Sequence, residues 1–322
     1  MTKIEALWKD AFHQAATSPI EPNGFRLTRI SKESRFDIYA GIDTSSFVLL
    51  AIGTHAKPPG ISTDASSLDY FRQQRSDQSW LMVLRLRQHG LETVFGKLCQ
   101  DLVDAAEGVP DEKALVALFR ERLNLWKRLF HPGGTGFLQQ HEIKGLIAEL
   151  LVLESLIGSD ERDLEETIVG WVGPLGADQD FLYSDRAFEV KALGPGADSV
   201  SIASLEQLDC AVPLHLTLVT LRQASSGEPN AVGLNTMAAR IEGTVAANPE
   251  ALRTFKDRLL EAGYVEHEFY DTVLFEPMSL VCYRVDEGFP RISRDMVPSG
   301  IASATYSLDI NAIHKYRDDF QT

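Results

Sequence analysis

The chain has 322 residues, 44% of them hydrophobic and 24% charged, a balance typical of a globular protein with room for one large domain or two ordinary ones. Its formal net charge of −15 argues against a protein that coats nucleic acid nonspecifically, because such binding rests on many Lys and Arg contacts to phosphate, and leaves room for a local basic groove. The opening MTKIEALWKDAFHQAA has no signal-like apolar run, no stretch approaches the roughly 20 apolar residues of a membrane span, and Cys99, Cys210 and Cys282 form no CxxC pair; a reducing cytoplasm is expected.

Residues 3–16 set Ile4, Leu7, Trp8, Phe12 and Ala15 at helical spacing. Short strands are expected over 25–30, 34–41 and 46–52, and the Pro, Gly and Ser of 54–67 read as a loop. A strand over 79–87 (SWLMVLRLR) and a helix over 91–106 complete a sheet-rich unit, 1–107, with no motif of nameable chemistry. Gly108-Val109-Pro110 then opens a second unit, 108–322, with a helix running to about residue 130 and acids at its positive end. Between residues 113 and 131 this helix carries Lys113, Arg120, Arg122, Lys127 and Arg128 against the single acid Glu121. Arg120, Arg122, Lys127 and Arg128 are candidates to face DNA phosphates; an ordinary solvated face is the commoner use of such a stripe. His131–Gly136 (HPGGTG) lacks the GxxxxGK[ST] spacing and reads as a flexible joint.

A well-defined helix follows over 138–157, with Ile143, Leu146, Leu150, Leu153 and Ile157 at its apolar centre. Glu142 and Glu149 lie two turns apart on one flank, and periodicity does not decide between a solvent-directed role and a role in a site. After 168–173 and a hairpin come a Gly/Pro break at 194–196, a short strand at 199–203, a helical turn at 204–208 and a strand at 213–221. Helices over 235–247 and 249–263 precede strands near 272–275, 279–285 and 305–309. The order predicts an α/β core of α+β type, a mixed central sheet flanked by helices.

The hairpin, QDFLYSDRAFEVKA over 179–192, carries the chemistry. With Ser184-Asp185 as a two-residue loop, Phe181 faces Phe188 and Asp180 faces Glu189. Asp180, Leu182, Ala187, Glu189 and Lys191 then share one face, while Phe181, Phe188 and Val190 share the other, which reads as core. Two opposed carboxylates with Cβ atoms roughly 5 Å apart are destabilising unless a cation lies between them. Oxygen ligands of this kind suit a hard cation such as Mg²⁺, and Lys191 is placed to orient a water or neutralise charge on a phosphate. An E-x-K triplet by itself occurs on the order of once per chain of this size by chance. The argument therefore rests on the register, which a three-residue loop would destroy. No HExxH, G-x-S-x-G, Walker or dinucleotide motif is present.

Glu149 in GLIAELLVLE, Asp180 in DQDF, Glu189-Val190-Lys191 and Gln207 in SLEQLD together resemble the PD-(D/E)XK nuclease superfamily, and more narrowly an uncharacterised bacterial family of restriction and phage-defence proteins. The narrower likeness spans most of the chain, including FPRI and SATYSLDI, with its specific motifs within 142–209 and a motif core over 138–222. The resemblance implies a restriction-endonuclease-like core and Mg²⁺- (or Mn²⁺-) dependent cleavage of DNA. Asp180, Glu189 and Glu149 would hold the metal, Lys191 would be the catalytic lysine and Gln207 an auxiliary polar residue. Gln179 stands where the motif name has proline, which lowers motif specificity; Asp178 is a rival for the first acid, one pair further from Glu189. The implied partners are DNA and other subunits of a defence system, with a homodimer suited to double-strand cutting. The alternative is a catalytically inactive nuclease fold that binds DNA or a partner protein.

Overall fold

The computed structural model describes residues 2–22, 24–61, 67–126, 130, 137–159 and 162–318. They form two compact units, Met1–Phe137 and Leu138–Thr322.

In the first unit, helix α1 (Lys3–Thr17) precedes strands β1 (Phe25–Arg29), β2 (Ile38–Asp43), β3 (Val48–Thr54), β4 (Leu68–Gln74) and β5 (Trp80–Leu86). Helices α2 (Glu92–Ala106) and α3 (Glu112–Trp126) follow. The strands make an antiparallel sheet in the order β1-β2-β3-β5-β4. Alternation places Ile38, Ala40, Ile42, Leu50, Ile52, Met82 and Leu84 on one buried face. Trp8 of α1 stacks on Phe95 of α2 at 5.5 Å and donates its indole N–H to the Leu49 carbonyl. On the other face Phe25 and Phe71, from the two edge strands, bring their ring centroids to 5.8 Å, so the sheet is curled on itself. Strand β4 was not anticipated: LDYFRQQ ends in polar residues suited to an edge, where Arg72 donates to the Pro58 carbonyl.

Helix α3 belongs with this unit. Phe119 packs 6.0 Å from Tyr70, Glu112 accepts from the His55 backbone N–H at 2.9 Å, and Arg35 donates to the carbonyls of Val109 and Pro110. The compact units therefore divide after residue 137, whereas the Gly/Pro break in the sequence suggested 107. The stretch 131–136, read as a joint, lies outside the described residues.

The second unit opens with α4 (Gln140–Gly158) and α5 (Leu164–Val169), then β6 (Phe181–Leu182), β7 (Ala187–Leu193), β8 (Ser199–Ile202) and β9 (Leu214–Ala224). It continues with α6 (Leu234–Val245), α7 (Pro249–Glu261), β10 (Leu274–Arg284), β11 (Tyr306–Asp309), α8 (Ile310–Ile313) and β12 (Arg317–Asp318). The central sheet has the order β12-β10-β9-β7-β6 and is mixed as expected: β7 and β9 run parallel and the other neighbours antiparallel. β8 and β11 form a separate pair. Ala187, Leu216 and Leu218 join Val200, Ile202, Leu208, Tyr283 and Leu308 in one core cluster, while α4 packs on β7 and α6 through its apolar face. The two late strands expected over 272–285 are one strand with an irregular register between Pro277 and Ser279. Among the described residues no helix is long and apolar enough to cross a membrane.

Candidate active site

The hairpin has the register read from the sequence. Phe181 pairs with Phe188 and Leu182 with Ala187, and Tyr183 N–H donates to the Arg186 carbonyl at 2.9 Å around the Ser184-Asp185 loop. Phe181 and Phe188 are both fully buried; the Phe188 ring meets Tyr183 edge-on and stacks on His215 at 5.2 Å. These apolar contacts on one face fix which residues occupy the other.

Asp180 lies one residue before the ladder. Its carbonyl accepts from the N–H groups of Val172 and Gly173, both at 2.9 Å, and its carboxylate Oδ2 accepts from Val190 N–H at 2.7 Å. A side chain thus takes the β7 donor that a longer β6 would have bonded, and the hairpin stops beside Glu189. Glycine at 173 leaves room for this fold-back: a Cβ there would stand 2.8 Å from Asp180 Oδ1 and 3.2 Å from Glu149 Oε2. The same figures show that the two carboxylates converge on one point.

Helix α4 supplies Glu149, and the two acids on its flank have separate uses. Glu142 turns back to accept from Gln139 N–H at 2.7 Å at the helix start. Glu149 instead accepts from the Trp171 indole N–H at 2.8 Å. Trp171 is fully buried, packs on Phe255 of α7 at 5.9 Å, and its carbonyl accepts from Arg258 Nε at 2.9 Å. Neither Trp171 nor Gly173 was singled out from the sequence. The only available signal was a tryptophan and a glycine between the two acidic motifs, and such residues are common in cores and turns.

Glu189 is 1% exposed. Its Oε1 pairs with Lys191 Nζ at 2.8 Å, and its Oε2 is buried without a hydrogen-bond partner among the described residues. Lys191 also donates to Gln207 Oε1 at 3.1 Å, and the same oxygen accepts from Ala203 N–H at 2.8 Å. Gln207 therefore touches the lysine directly. Gln179 is buried and donates to the Glu206 carbonyl at 2.8 Å, a structural task that leaves Asp180 in position, while the rival Asp178 is exposed.

The acids titrate high because they share a poorly solvated space. Burial pushes the Asp180 carboxyl up to about 6, against the opposing pull of Val190 N–H and Lys191. Burial, then the Asp180 charge, raises Glu189 to about 8. Glu149 is driven well above the usual carboxylate range, first by burial and then by Asp180. An orphaned Glu189 oxygen beside two converging carboxylates is a donor set suited to a hard divalent cation. Among the described residues, no group of three or more His, Cys, Asp or Glu side chains is placed to hold a metal ion, and Glu189 Oε1 is paired with Lys191.

The basic stripe is divided. Arg120 is exposed on α3, but Arg122 is buried with its guanidinium 3.4 Å from Asp101, so its charge is used inside the first unit. Lys127 and Arg128 lie outside the described residues.

A family model described as "Putative PD-(D/E)XK family member, (DUF4420)" matches residues 4–311. No curated protein and no solved structure is significantly similar to the chain.

Proposed function

The chain belongs to this PD-(D/E)XK family, and on that premise we propose that it is a metal-dependent DNA endonuclease, a component of a bacterial restriction or phage-defence system. The observation that carries the reading is the convergence of Glu149 and Asp180 on one point, with the Glu189–Lys191 pair beside them.

Asp180, Glu149 and Glu189 would hold the cation, Mg²⁺ or Mn²⁺, with Glu189 Oε2 the oxygen that needs it most. When bound, such an ion supplies Lewis-acid polarisation of a phosphate and lowers the pKa of water. The protein's own part is orientation and charge. Val190 N–H and Trp171 Nε1–H each fix one carboxylate, so Asp180 and Glu149 are pre-aimed. Glu189 and Gln207 hold the Lys191 ammonium from two sides, where it can orient an attacking water and offset negative charge growing on the phosphate. Double-strand cutting would use two copies about a two-fold axis.

The test is cleavage of modified and unmodified plasmid DNA with Mg²⁺. Lys191→Ala is expected to lower the rate by about 10²-fold or more while the circular dichroism spectrum is unchanged. Cleavage at the wild-type rate in that variant, or in excess EDTA, would overturn the proposal. DNA binding without cleavage, indifferent to Asp180→Ala, would instead identify an inert binding module.

A further inference from the structure

Three partly buried cations among the described residues each have a carboxylate partner. Arg85 is held by Asp43 and Asp69, Arg162 by Asp185, and Lys191 by Glu189. Lys144 on α4 is different. It is half-buried, and burial lowers its ammonium pKa, yet it makes no hydrogen bond or ion pair among the described residues. A charged group placed this way is partly desolvated and has no protein acceptor among the described residues.

Its position suggests what the acceptor is. Lys144 lies five residues before Glu149 on the same helix. Its Nζ is 3.9 Å from the point where a Cβ on Gly194 would stand, and among the described residues beyond Leu193 and Pro195 no other heavy atom comes within 4 Å of that point. Gly194 follows β7 directly and is three residues beyond Lys191, about 10 Å further along the strand direction. It opens the turn Gly194-Pro195-Gly196-Ala197, closed by Ala197 N–H to the Gly194 carbonyl and with Gly196 at φ 73°. The ammonium thus stands beside a turn whose glycine carries no side chain of its own.

We propose that Lys144 binds a phosphate of the substrate strand neighbouring the phosphate that reacts. The inference rests on the nuclease reading and names a contact that positions the strand. Lys144 lies on the helix that carries Glu149 and beside the end of the strand that carries Lys191, and a phosphate would supply the charged acceptor that no protein group among the described residues provides. Lys144 is a positioning residue, since the carboxylates and Lys191 face the reacting atoms.

The full chain carrying Lys191→Ala, with Mg²⁺ present, allows binding to be read without cleavage by fluorescence anisotropy of a labelled duplex across a sodium chloride series. Adding Lys144→Gln is expected to weaken binding and reduce the slope of log K against log salt by about 0.9, the loss of one phosphate contact, and Lys144→Arg to restore both. The thermal midpoint of Lys144→Gln should equal or exceed that of its parent, because a poorly solvated charge has been removed; a merely structural lysine would lower it. Salt-dependent binding by the parent with the same affinity and slope in Lys144→Gln would overturn this inference and leave the nuclease reading standing. A parent that binds neither duplex nor single strand at any salt would remove the nuclease reading, and this inference with it.

Discussion

At the residue scale the candidate site gathers buried acids at a cost in stability. Asp180 and Glu189 have folded pKa values of about 6 and about 8, raised chiefly by burial above ordinary carboxylate values. An acid whose folded pKa is raised favours the folded state below its unfolded pKa, and that contribution is lost as pH rises through the folded value. In the presence of chelator, these two groups should therefore make the protein progressively less stable as pH rises from about 4 to about 8. Asp180→Asn removes the first of them while keeping an oxygen for Val190 N–H. It is expected to be more stable than its parent at pH 8 by about 1–3 kcal/mol, with the difference vanishing near pH 4. Urea unfolding of both proteins at the two pH values checks this; equal midpoints at pH 8 would show that the Asp180 carboxylate is well solvated after all. The acids and Lys191 were legible in the sequence because a chemical motif needs specific residue types. Trp171 and Gly173 were not, because their roles are a hydrogen bond and a close approach set by tertiary folding.

At the element scale the hairpin register was legible, and for a definite reason. A short polar loop of Ser184 and Asp185 and an aromatic residue at matching distance on each side leave one pairing that buries both rings. The end of β6 was not legible. Nothing local indicates that Asp180 would leave the ladder and use its side chain to bond Val190. For the same reason β4 escaped notice, since an edge strand with a polar end resembles a loop. Register depends on the buried face, so damage there should reach the carboxylates. Phe188→Ala removes a ring packed against Tyr183 and His215 and is expected to cost about 3–5 kcal/mol. The urea midpoint measures the loss. A variant within 1 kcal/mol of wild type would mean that the ring does not hold the hairpin.

At the scale of the whole molecule the composition was a fair guide to class and a poor guide to boundaries. Alternating strand and helix patterns gave the mixed sheet of the second unit, because period-two and period-3.6 burial are local properties. The limit of the first unit depends on where α3 packs, and Phe119, Glu112 and Pro110 find their partners at Tyr70, His55 and Arg35 far upstream. A glycine and a proline mark the start of a helix; they do not say which core will receive it. The consequence can be tested by cutting the chain. Residues 138–322 contain all four site residues Glu149, Asp180, Glu189 and Lys191, a complete mixed sheet and its own buried clusters. Expressed alone, this segment should unfold in a single cooperative urea transition with near-native helix content, whereas a segment beginning at 108 would add α3 without the surface that buries Leu115, Phe119 and Leu123. Aggregation or a featureless transition for 138–322, with a cooperative one for 108–322, would place α3 in the second unit. It would also assign Arg120 to the unit that carries the candidate site.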